Sequence, residues 1–290
     1  MKKIYNIAML LGALAFTTSA CTNSDNEPNY GEITLTTPVV TLDGVTATVS
    51  RAEPTRYTQM VLTVDLLDKN GSFTSGRSCT YKYGSGIWDK GSDQSLVVTG
   101  GEGTYYARAI AQRVYLENVE NAIYVFKGED NAAGTIKVAS DGTFTLGAAM
   151  KPITSAIKVV LKDADGGSIS SGYSVTMSGL KMVSAAKWDK TQNEVLLGES
   201  KIKEPLKDLN KAYGYYKAGT YTNGSTLMTV KNENSVSYNV KLNSDLVLEA
   251  GKLYTFNIKL GGDTEVTIDP SNGITVEGFT PDRNNIDIKR

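Results

Sequence analysis

The chain has 290 residues, enough for one large or two ordinary domains with substantial cores. Its 30 basic and 31 acidic side chains nearly cancel, so no basic face marks a nucleic-acid footprint. Histidine is absent, which excludes histidine triads, histidine acid–base pairs and histidine metal sites. Two cysteines supply neither a cysteine zinc site nor a disulfide framework. These absences remove many enzyme classes at once, and the expectation is a protein that is not an enzyme and carries no cofactor.

The first twenty residues read as an export signal: basic Lys2 and Lys3, an apolar run from Ile7 to Phe16, then small residues from Thr17 to Ala20. The apolar run is too short to cross a bilayer, which takes about 20 residues. Thr18-Ser19-Ala20-Cys21 resembles the lipobox of bacterial lipoproteins, with Thr18 where Leu is commonest. The resemblance implies that Cys21 is acylated and anchors the chain to the outer membrane, the lipid being a covalent attachment and not a cofactor. An ordinary cleaved signal followed by an incidental cysteine is the plainer alternative. Residues 21–32 then form a tether, and its polar, acidic stretch from Thr22 to Pro28 resembles the segment that exports lipoproteins to the surface of Bacteroides-type bacteria.

Abundant Thr, Val and Tyr with 28 glycines suggest strands joined by tight turns, and helical periodicity is hard to find. Ile33 to Leu42 and Val45 to Ser50 read as a hairpin turning at Asp43-Gly44. Met60, Leu62, Val64 and Leu66 alternate with Gln59, Val61, Thr63 and Asp65, the signature of a strand with one face on a core. Asn70-Gly71 turns it into a strand from Ser72 to Tyr83, and Thr104 to Ala111 follows the glycine turn at 100–103. Weaker strands around 123–126, 135–138 and 143–146 complete a first domain, residues 33–151.

A second series, residues 152–279, opens with the alternation of Ile157, Val159 and Leu161 and turns at Asp163 to Gly167. Gly71 to Thr80 matches Gly167 to Thr176 without a gap, which suggests an internal duplication. The match sets Cys79 opposite Val175, so Cys79 reads as a buried small apolar side chain. Further strands fall at 194–203, 227–230, 236–242, 253–260 and 266–268, and residues 280–290 form a tail. That tail, in which Ile286 and Ile288 alternate with polar residues, reads as a frayed end, a closing edge strand or a donor strand. Many short strands with regular turns indicate sandwiches.

Leu248 to Leu260, leading into Gly273-Ile274-Thr275-Val276, resembles the closing strands of fimbrillin-family lipoproteins of Bacteroides-type bacteria. Ser50-Arg51-Ala52, the stretch from Tyr83 to Trp88, and Gly142 to Leu146 agree with it, while Glu277-Gly278-Phe279 stands where the family has a Trp. The resemblance implies an all-β chain of two tandem transthyretin-like β-sandwich domains and a role as a type V pilus subunit in adhesion. It also implies removal of the first strands by an Arg-specific protease, then head-to-tail assembly with other pilus subunits by donor-strand exchange. The bond Arg51–Ala52 is the expected cut, with Arg56 second. The alternative is a monomeric surface lipoprotein that binds glycan or host protein through its loops. Trp88, Trp188, Tyr213, Tyr215, Tyr216 and Tyr221 read as sandwich aromatics or a glycan-stacking surface, and Asp163 to Gly167 as a β-turn, since Ser174 replaces the Glu of a calcium loop.

Overall fold

A computed structural model describes residues 31–42, 58–84, 87–91, 94–115, 123–129, 134–189, 191, 194–200, 212–262 and 264–278. The first strands in the chain are β1 (Glu32–Thr34), β2 (Pro38–Val39), β3 (Thr58–Leu67), β4 (Phe73–Gly84), β5 (Ile87–Lys90) and β6 (Val97–Thr99). They continue as β7 (Gly103–Tyr115), β8 (Ile123–Lys127), β9 (Thr135–Val138), β10 (Phe144–Leu146) and β11 (Lys151–Pro152). The later strands are β12 (Thr154–Lys162), β13 (Ser168–Ile169), β14 (Tyr173–Thr176), β15 (Met182–Trp188), β16 (Val195–Ser200), β17 (Ala212–Lys217) and β18 (Gly219–Tyr221). After these come β19 (Thr226–Asn232), β20 (Ser237–Leu242), β21 (Leu246–Leu248), β22 (Lys252–Lys259), β23 (Glu265–Ile268) and β24 (Ile274–Gly278). Among the described residues there is one short helix, α1 (Pro270–Gly273), capped by Asp269, whose side chain accepts from Ser271 N. The chain is all-β, and among the described residues no helix is long and apolar enough to cross a membrane.

Among the described residues, strands β1 to β11 pair only among themselves, and so do β12 to β24. In the first set the order is β2-β10-β9-β7-β3-β4-β5, with β8 on β7 and β11 on β8, while β1 pairs β6 separately. The long β7 links two parts of this sheet: residues 103–106 pair β9, and residues 110–114 pair β8. Leu62, Val64 and Leu66 of β3 face one core with Cys79 and Tyr81 of β4, Ile136 and Val138 of β9, and Phe144 of β10. Cys79 is thus a buried core side chain, in no disulfide among the described residues.

In the second set, β12 is central, parallel to β22 and antiparallel to β17, in the order β16-β15-β17-β12-β22-β24. A four-stranded sheet β14-β19-β20-β23 closes this core from the other side. The echo between halves is real at the turn, but one residue out of step with the ungapped match. Asp68 Oδ1 accepts from Asn70 N and Ser72 N, and Asp163 Oδ1 accepts from Asp165 N and Gly167 N. Gly71 (φ 76) therefore corresponds to Gly166 (φ 91), both in the left-handed region that suits glycine. Beyond the turn the paths part: β4 stays beside β3, whereas β14 leaves β12 and joins β19 in the other sheet.

The outer face of β7 and β8 is covered by the second set. Ile110, Ile123 and Val125 pack with Val183, Ala186 and Trp188 in a cluster of their own. Strand β15 escapes the alternation rule for this reason, because Met182 faces its own core while Val183, Ala186 and Trp188 face the first set. A register shift between Val183 and Ala185 breaks the period further. At the rim of this cluster Arg108 is fully buried and donates from Nε to Asp65 Oδ2 at 2.9 Å. Its Nη1 donates to Asp189 O at 3.4 Å, and its guanidinium lies 4.9 Å from the Trp188 ring and 5.1 Å from the Phe73 ring. Gln112 Nε2 donates to Ala186 O and Thr154 Oγ1 accepts from Val125 N, which ties the two sets further. Arg108→Ala would leave the Asp65 carboxylate buried without this partner. It is expected to destabilise the chain by about 3–5 kcal/mol, read by urea unfolding, with the paired change Asp65→Asn recovering part of the loss.

Candidate functional site

Cys21, Arg51, Ala52 and Arg56 lie outside the described residues, as do the strand expected at 45–50 and the tail at 280–290. The site that the structure does describe is the slot occupied by residues 32–42. The expectation of one strand from Ile33 to Leu42 is corrected here: the segment forms two short strands, β1 and β2, with a step between them. Neither pairs with the other; each pairs with strands from much later in the chain.

Strand β1 runs antiparallel to β6, with Ile33 opposite Val98. Leu35 N continues this side by donating to Leu96 O at 2.8 Å. At the next residue the ladder changes hands, since Thr36 N donates to Gly142 O at 2.9 Å. Phe144 N then donates to Thr37 O, β2 lies parallel to β10, and Met150 N donates to Thr41 O beside the bridge between Leu42 and Met150. In a regular strand successive residues address opposite neighbours, so Thr36 N and Thr37 O would face opposite sides. Here both face the Gly142 to Phe144 side, which is the geometry of one inserted residue.

Side chains follow the same step. Leu35 and Pro38 are buried, and Ile33, Val40 and Leu42 pack against the core from partly buried positions. Glu32, Thr34, Thr36, Val39 and Thr41 face solvent, Val39 with 53% of its surface exposed. Tyr81 Oη donates to Leu35 O at 3.4 Å, and the Tyr81 ring is tilted against Phe144 with centroids 5.4 Å apart. Burial pushes the Tyr81 phenol well above its ordinary range, with a smaller contribution from Cys79, so it remains a donor at physiological pH.

The turn at Asp141-Gly142-Thr143 supports the crossing. Gly142 has φ +84, and a Cβ there would run into the Thr34 carbonyl oxygen, so glycine is required both by conformation and by space. Asp141 Oδ1 accepts from Thr143 Oγ1 at 2.7 Å and from Thr143 N at 2.9 Å. These bonds, the hydroxyl first, hold the Asp141 carboxyl below the usual carboxylate range.

The other sequence candidates fall elsewhere. Tyr215, Tyr216 and Tyr221 are buried in the main core, Trp188 is buried between the two sets, and Trp88 is half-buried against Tyr83. They form no common surface; the Tyr213 side chain is outside the described residues. Asp163 spends Oδ1 on the amides of its own turn, and among the described residues no group of three acidic or cysteine side chains is placed to hold a metal ion. What sequence reasoning missed is Gly142 and the partners of Thr36 and Thr37, because those contacts join residues roughly a hundred positions apart.

The fold and the slot define an all-β protein with two sets of packed sheets and an N-terminal segment that completes the first. Among solved structures the chain is similar to a "putative cell adhesion protein" of Bacteroides uniformis, at 13% identity over 86% of this chain and 99% of that one, with a TM-score of 0.46. It is similar to another so described from Bacteroides ovatus, at 12% identity over 87% and 96% of the two chains, with a TM-score of 0.40. A third is the fimbrial anchor protein Mfa2 of Porphyromonas gingivalis, at 8% identity over 79% and 91%, with a TM-score of 0.27. No protein-family model matches the chain, and no curated protein matches it.

Leu35→Ala is expected to lower stability by about 2–5 kcal/mol, with hydrogen exchange showing faster opening at Leu96 and Phe144 than at β12 and β22. Because the folded pKa of Asp141 is depressed, its contribution is present above the unfolded value of about 3.9 and is lost as pH falls through the lower folded value. An NMR titration is expected to place its midpoint below that of a model peptide, and Thr143→Ala to move it back up.

Proposed function

We propose that this chain is a pilus-type surface subunit that mediates adhesion, exported as a lipoprotein precursor on an acylated Cys21 and assembled by strand exchange. In this reading it consists of two tandem transthyretin-like sandwich domains, residues 33–151 and 152–279. An Arg-specific protease cuts at Arg51–Ala52, with Arg56 as second choice, and releases the lipid, the tether and the first strands together. The released chain then pairs head to tail with other subunits, a contact that does not close and so grows a filament.

The single observation that carries this reading is the placement of residues 32–42. The segment supplies ladder partners to β6, Gly142 and β10 and apolar side chains to the first core. Residues 43–57, which include Arg51 and Arg56, connect it to β3. Its loss would uncover both backbone groups and core, and an edge of that kind recruits another strand. Four inward apolar positions besides Pro38 make the exposed surface large enough to favour refilling over solvation. The resemblance to fimbrillin-family lipoproteins in the closing strands supports the same reading.

Treatment of the mature chain with an Arg-specific protease is expected to yield a new N-terminus at Ala52 and a ladder of oligomers on a native gel. The double variant Arg51→Ala, Arg56→Ala is expected to stay monomeric. Cut chain that remains monomeric at all concentrations would overturn the proposal.

A further inference from the structure

The step at Thr36–Thr37 gives the slot a property that a straight groove would lack. Inward apolar residues fall at 33, 35, 38, 40 and 42, so the spacings are two, three, two and two. Side chains of a strand alternate with period two, and a slip of one residue turns every later one to the opposite face. Without the extra residue, Val40 and Leu42 would face solvent, and Val39 and Thr41 would face the core. The walls impose the same step. Gly142 O accepts from Thr36 N and Phe144 N donates to Thr37 O, so one wall addresses two consecutive residues, which a regular strand would turn to opposite sides. Gly142 permits the close crossing, since any Cβ there would meet the Thr34 carbonyl oxygen.

We propose that the slot selects its occupant by this spacing. The partner is an extended strand of a neighbouring subunit with apolar side chains two, three, two and two residues apart and two small residues at the step. Gly142 is the specificity-determining residue, because it makes room for the step. The proposal rests on the strand-exchange reading above and adds a rule for which strand is accepted. It follows that a strand of equal hydrophobicity and strict alternation is rejected.

The test uses the full mature chain with a specific protease site placed within residues 43–57, nicked there, unfolded in urea and diluted back with excess labelled peptide. A peptide of residues 31–42 is expected to be incorporated and to displace the nicked segment. The same peptide lacking Thr37 keeps every apolar residue and is expected to be incorporated at least about 100-fold more weakly, as two or more inward side chains are misdirected. Gly142→Ala in the chain is expected to weaken uptake of the first peptide. Its fold is checked by hydrogen exchange at β12 and β22, which pair with no strand of the slot. Equal uptake of the two peptides would overturn the spacing rule and leave strand exchange standing. Uptake unchanged by Gly142→Ala would overturn the role of Gly142. Uptake of neither peptide would overturn the strand-exchange reading, and the spacing rule with it.

Discussion

The step in the backbone ladder at Thr36–Thr37 is the constraint on which the first half of the molecule depends. A buried backbone amide or carbonyl without a partner costs as much as a lost hydrogen bond, so a core-lining strand must be paired on the side it turns inward. Strand β6 meets this need through β1, and β10 meets it through β2. One segment serves both, and the extra residue at Thr36–Thr37, where Gly142 lets its backbone pass close by, keeps its later apolar side chains on the core. The pairing joins the start of the chain to residues 96 and 142–150, so the first core is complete only when distant parts of the sequence have come together.

The second half is organised differently, although it opens with the same turn. In both halves an aspartate carboxylate caps a four-residue turn that ends in a left-handed glycine. After it, β4 stays in the sheet of β3, but the chain breaks at Gly172 and β14 pairs in the opposite sheet. The halves then meet along the outer face of β7 and β8, at whose rim Arg108 is held by Asp65 and stacked between Phe73 and Trp188. A buried ion pair adds little net stability compared with apolar packing, since desolvation offsets most of the attraction. Its consequence is geometric, because a guanidinium that must satisfy a carboxylate, a carbonyl and two rings has few orientations open to it. This ties the second half in one orientation to the sheet that contains the slot.

Much of the strand pattern was legible in the sequence, since the alternation of Leu62, Val64 and Leu66, or of Tyr254, Phe256 and Ile258, directly reports one buried face. Strand β15 was not legible, because both its faces are covered and a bulge interrupts the period. Asp65 was misleading for a related reason: it occupies a polar position of an alternating strand, yet it is buried as the partner of Arg108 on the neighbouring strand. The slot was half legible. Ile33 and Leu35 alternate as expected, but Thr36-Thr37-Pro38 gives no local sign that the strand changes neighbours there.

The amino-acid sequence by itself determined the classes of chemistry that a chain without histidine lacks, the all-β character, and the turns at Asp68 and Asp163. These follow from composition, from period-two patterning and from residues whose preferences act over four or five positions. Which strands pair, where the inserted residue falls, and why position 142 tolerates only glycine were decided by tertiary structure. Each depends on backbone atoms far apart in the chain, and hydrogen-bonding groups are identical at every residue, so nothing local marks their partners. The proposed lipid anchor and processing bond rest on the sequence alone, and the slot they would serve belongs to the fold.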